Sequence, residues 1–102
     1  MLTDHILNNV RQVVGEAVAN NRVPAGAFGA IQGASSALRD EGADRAQIRL
    51  TEDLSVAMLR LEWGLRKRDE GAIERAREQL QAISDQLSYA FDAGGAAIPL
   101  DS

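Results

Sequence analysis

The chain has 102 residues, of which 45% are apolar and 25% charged, with no cysteine and a formal net charge of −4. That length suits one domain, residues 1–102, with a single modest core, and the lack of cysteine excludes a disulfide framework, a thiolate metal site and a Cys nucleophile. The negative excess lies wholly in residues 51–102, where ten acids face six bases, a balance that argues against a general nucleic-acid or anionic-membrane binder.

Residues 3–21 read as a first helix. Thr3 or Asp4 offers an N-cap, and Ile6, Leu7, Val10, Val13, Val14, Ala17 and Val18 fall on one side at 100° per residue. Four valines lower the intrinsic propensity, so packing must hold this helix. Asn20, Asn21 and then Pro24 close it, because proline disfavours helix at the residue before it.

Residues 24–41 read as a second helix, with Pro24 in its first turn and Phe28, Ile31, Ala34 and Leu38 on one face. Across from that face Gly29, Gly33 and Ala37 recur every four residues. Each mid-helix glycine costs about 0.5–1 kcal/mol relative to alanine, so either the ridge lets another helix come close, in the first place one of the same chain, or residues 25–37 are partly loop; helix is the expectation taken. Gly42 is placed for a left-handed C-cap.

A third helix is expected over 45–67. Asp44 and Gln47 have capping-box spacing, and Thr51 offers an alternative start. Leu54, Met58, Leu61 and Leu65 form its apolar stripe. The fourth helix, over 70–92, carries the matching stripe Ile73, Ala76, Leu80, Ile83 and Leu87. Two such stripes across a short break are the sign of a helical hairpin. Arg66, Lys67 and Arg68 suit the end of one helix, and Asp69 and Glu70 the start of the next. Residues 93–102 read as a short extended tail. Short loops make neighbours antiparallel, so the expected fold is all-α, a four-helix up-and-down bundle.

The third helix has a second stripe. Val56, Leu59 and Trp63 point about 180° away from the first. Either the first two helices cover it or another subunit does, and tryptophan is enriched where subunits meet. The residues expected to make partner contacts are therefore Trp63, Leu59 and Val56, with Ile98 and Leu100 as a docking tail.

No pattern of reactive residues stands against this reading. His5 is the lone histidine and reads as exposed or capping, without further ligands at helical spacing. Glu70, Glu74 and Glu78 form a row interleaved with Arg75 and Arg77, which reads as a solvated face rather than an acid–base site. No nucleophile motif, phosphate loop or dinucleotide fingerprint occurs, so neither an enzyme nor a bound cofactor or metal is expected. Arg66, Lys67 and Arg68 are the candidate nucleic-acid contacts of an alternative, a dimeric DNA-binding regulator. The segments after the turns at 21–24 and 42–44 lack the Arg, Lys, Gln and Asn cluster that reads base edges.

No secretory signal is read at the start, where Asp4, Asn8, Asn9 and Arg11 interrupt the apolar residues. No run approaches the roughly 18 apolar residues that span a bilayer. The expectation is a cytoplasmic, non-catalytic interaction protein: an adaptor, chaperone, regulator or structural subunit, acting as a homo-oligomer or within a larger assembly. Ten arginines against one lysine, with abundant Ala and Gly, point to a GC-rich bacterial or phage genome. If the hairpin seam is placed correctly, Leu61→Ala and Leu80→Ala each lower the unfolding free energy by about 2–5 kcal/mol in denaturant titrations. A loss below about 1 kcal/mol would mean the seam runs elsewhere.

Overall fold

The computed structural model describes the backbone of residues 2–96 and the side chains of residues 5–89. Four helices follow in chain order: α1 (Leu2–Asn20), α2 (Ala27–Asp40), α3 (Arg45–Lys67) and α4 (Glu70–Ala96). Each packs on its neighbours in sequence, and α1 closes the ring against α4. Pairs of linked side chains give the directions. Arg11 Nε donates to Ser88 Oγ at 3.0 Å and Arg77 Nε to the Val18 carbonyl at 3.0 Å, so α1 and α4 run oppositely. Arg60 meets Gln79 at 3.2 Å, and Gly64 abuts Ile73, so α3 and α4 do likewise. The architecture is the up-and-down bundle expected, 45 × 26 × 20 Å in extent.

The inward faces are those the periodicity marks. Leu7, Val10, Val14 and Ala17 come from α1, and Ala27, Ile31, Ala34 and Leu38 from α2. Leu54, Ala57, Met58 and Leu61 come from α3, and Ala76, Leu80 and Leu87 from α4; all are buried. Ile6, Val13, Val18, Phe28, Leu65, Ile73 and Ile83 pack part-buried around them. Thr51 lies inside α3 rather than at its start. Its buried hydroxyl donates to the Ile48 carbonyl at 2.6 Å, which satisfies a polar group that would otherwise cost free energy.

The helix ends follow backbone chemistry, with corrections to the sequence expectation. Asn21, at φ 52°, takes the left-handed conformation that asparagine tolerates, so α1 stops at Asn20. Pro24 does not open α2. Its carbonyl accepts the Ala27 N–H at 3.1 Å across a turn in which Gly26 sits at φ 78°, ψ 6°, the third-position geometry of a type II turn. A helix cannot pass through that residue, so α2 begins at Ala27. Gly42 caps α2 as expected, at φ 72°, with Ala43 N–H reaching back to the Leu38 carbonyl at 2.9 Å. Asp44 holds the N-cap position of α3 but makes no side-chain cap bond, so the capping box with Gln47 is not formed. Asp69 does cap α4, its Oδ1 accepting the Ala72 N–H at 3.1 Å. Helix α4 continues to Ala96, past the expected end at 92, because glycine disfavours the helical conformation without forbidding it.

The close approach of helices sits at a glycine other than those of the ridge. Gly29 and Gly33 are exposed, and a Cβ at either would meet nothing within 4 Å. The ridge faces outward, contrary to expectation. At Gly64 a Cβ would lie 3.1 Å from Ile73 Cγ1 and 3.2 Å from Ile73 N. There α3 and α4 touch nearly backbone to backbone. Gly33→Ala should therefore raise the unfolding free energy by about 0.5–1 kcal/mol, the helix-propensity gain alone, whereas Gly64→Ala should fail to gain stability because the seam must open. A gain at Gly64 equal to that at Gly33, in chemical denaturation, would contradict this seam.

Candidate functional site

Helix α3 is in contact with α2 on one flank and α4 on the other, and its core stripe points at the bundle axis. Three neighbours of any one helix can line only its inner side, so the residues opposite Leu54, Met58 and Leu61 have no helix left to cover them. Val56, Leu59 and Trp63 occupy that position and are 48%, 54% and 61% exposed. The reading in which α1 and α2 cover this stripe is thereby corrected: α1 is on the far side of α3, and α2 reaches only its flank. A row of large apolar side chains standing free on a helix marks a contact surface more often than isolated exposed residues do.

Between this stripe and α4 runs an open groove of about 540 Å³, walled by Leu59, Trp63 and Gly64 on α3 and by Ala72, Arg75 and Gln79 on α4. Gly64 deepens it by leaving out a side chain where the helices meet. Apolar atoms dominate its walls, to which Arg60 also contributes. Tyr89 is also exposed, further along α4.

The three candidate nucleic-acid residues are drawn into local structure. Lys67 Nζ lies 4.4 Å from the centre of the Trp63 ring, a cation–π contact that holds the indole against the helix. Arg66 leans toward Glu62, 3.9 Å away. Arg68 takes the left-handed conformation, φ 55° and ψ 39°, that ends α3, while Asp69 N–H bonds the Gly64 carbonyl at 3.0 Å. All three are exposed, with Lys67 over the indole, Arg66 beside an acid of its own helix and Arg68 ending the helix through its backbone.

His5, Glu70, Glu74 and Glu78 are all exposed, and Glu74 pairs with Arg77 at 3.3 Å. They are not brought together. Among the described residues no group of three His, Cys, Asp or Glu side chains is arranged to hold a metal ion, and no helix is long and apolar enough to cross a membrane. Ile98 and Leu100 lie outside the described residues. Sequence reasoning missed the parts of Gly64, Ala72 and Gln79 in the groove, because small and polar residues at a helical seam leave no mark in an apolar pattern.

No protein-family model matches the chain, and neither a curated protein nor a solved structure is similar to it.

The left-handed Arg68 generates a test. That conformation costs a side-chain-bearing residue about 1–2 kcal/mol, while glycine adds about 0.5–1 kcal/mol of unfolded-chain entropy. Arg68→Gly should therefore stabilise the fold by about 0.5–1 kcal/mol in denaturant titrations. Destabilisation would show that the guanidinium is more than a cap.

Proposed function

We propose that this chain is a small non-catalytic interaction protein that works through the outer face of α3 and self-associates there. The observation that carries the reading is the row Val56, Leu59 and Trp63, apolar and open to solvent on a helix whose other side is fully used by the core. Burying that row against protein removes apolar area from water at about 25 cal/mol per Å², and a tryptophan beside an apolar groove has the composition of an interface anchor. An adaptor, chaperone, regulator or structural subunit can work in this way, with contact as the activity and no bound cofactor. The chain's net charge of −4 speaks against the DNA-binding alternative, which needs an attractive field for a phosphate backbone.

Light scattering of the purified chain at two concentrations should give a mass above that of one chain and rising with concentration. Trp63→Ala should lower it at both. Because Trp63 is mostly exposed, the substitution should leave the stability of the single chain within about 0.5 kcal/mol. An unchanged mass with a lowered melting temperature would reverse the reading, making Trp63 a structural residue.

A further inference from the structure

The groove between α3 and α4 is double. Beyond the hollow at Leu59, Trp63 and Gly64, a second of about 320 Å³ opens at Val56, Ala57, Ala82 and Ile83. Arg60 and Gln79 line both hollows and join between them, Arg60 Nη1 donating to Gln79 Oε1 at 3.2 Å. Gly64 and Ala57, the small buried residues of α3 at the two hollows, are two turns apart on one side of the helix, about 10.5 Å along it. That is the separation of anchors at i and i+7 on a second helix lying along the groove.

Charge narrows the occupant further. Arg60 has the neutral amide of Gln79 as its partner, and among the described residues neither it nor Lys67 nor Arg75 forms an ion pair. Two acids of α3 are answered within the chain, Glu52 by Arg39 at 2.7 Å and Glu62 by Arg66 at 3.9 Å. Asp53 shares its end of the face with Arg45 and Arg49. Bases are thus in excess at both ends of the apolar row and at its middle.

We propose that this groove takes an amphipathic helix of another protein, with large apolar residues at i and i+7 and a carboxylate at i+3 or i+4. The two apolar side chains fill the hollows. The carboxylate accepts from Arg60 in place of Gln79, exchanging a neutral acceptor for a charge-assisted one. This rests on the reading of the α3 face as a contact surface and names the kind of partner that surface fits. Helix α3 of a second copy brings Val56 and Trp63 at the same spacing, but Arg60 stands where the acid is needed, so base meets base. Self-association is the weaker use of the face.

The probe is a hydrocarbon-stapled, fluorophore-labelled peptide of about 16 residues, because an unstapled helix of that length is marginal in water. It carries leucines at i and i+7 and glutamate at i+4, and its anisotropy is followed as the full chain is added. One comparison peptide has lysine in place of glutamate; another has the second leucine moved to i+9, on the opposite side of the helix. The glutamate peptide should bind about ten-fold more tightly than either. On the Arg60→Gln variant the glutamate and lysine peptides should bind within about three-fold of each other, the charge of Arg60 being gone. Ala82→Gln, which fills the second hollow, should weaken the glutamate peptide about ten-fold. Arg60 and Ala82 are exposed, so both variants should keep the circular dichroism of the wild type. Equal binding of the glutamate and lysine peptides, or a ratio unchanged by Arg60→Gln, overturns the carboxylate. Equal binding of the i+9 peptide overturns the helical register. If no peptide binds a chain that self-associates in sedimentation, the helical partner is overturned and the contact face stands; if neither occurs, the contact face goes too. Binding to phosphatidylglycerol vesicles in preference to every peptide would assign the face to a lipid surface instead.

Discussion

In a ring of four helices each member can bury only the side that faces the axis and its two neighbours, and α3 is the member whose remaining side is also apolar. This constraint governs the molecule. Leu54, Met58 and Leu61 have no exposed surface at all, while Val56, Leu59 and Trp63, interleaved with them in sequence, stand about half exposed or more. Turning α3 to hide the second row would bring the first into solvent. No rearrangement within such a ring satisfies both, so the unmet row must be covered from outside or remain in water.

The rest of the bundle serves to hold α3 in that position. Its contact with α4 is the most extensive in the fold, drawn close at Gly64 and closed by a two-residue turn in which Arg68 accepts a strained conformation and Asp69 caps the next helix. Arg77, half-buried on α4, donates to the Val18 carbonyl in the last turn of α1. That turn has no basic side chain of its own, and an arginine from a neighbouring helix satisfies an orphan acceptor there. The Arg39–Glu52 pair at 2.7 Å joins α2 to α3, but both side chains are more than half exposed, which makes it a minor contributor to stability. Hydrophobic burial, with polar groups placed at the helix ends, carries the fold.

What was legible in the sequence was whatever depends on a repeating apolar pattern. The helix class, the inward faces and the hairpin seam followed from residues such as Leu61 and Leu80, because burial imposes the helical period on every one of them. The opposition of Trp63 to the core was visible for the same reason, but not its exposure, since that depends on where α1 and α2 lie. Turn geometry was less accessible. Gly42 announced its left-handed cap, whereas the turn at Gly26 displaced the start of α2 from Pro24 to Ala27, and Asp44 held its position without forming the expected bond. Glycine was the least readable. The evenly spaced Gly29 and Gly33 face open space, and the isolated Gly64 marks the place where two helices touch.

Trp63 is the chain's single tryptophan, so its fluorescence reports on the outer face of α3 alone. Indole emission shifts to shorter wavelength as its surroundings become less polar, and burial shields it from dissolved quenchers. The most direct measurement is therefore the emission maximum and iodide quenching of the wild-type chain across a wide range of protein concentration. A contact face requires a water-like, readily quenched indole in dilute solution that moves to shorter wavelength and becomes shielded as concentration rises. An indole that stays water-like and fully quenchable up to the highest concentration would contradict it.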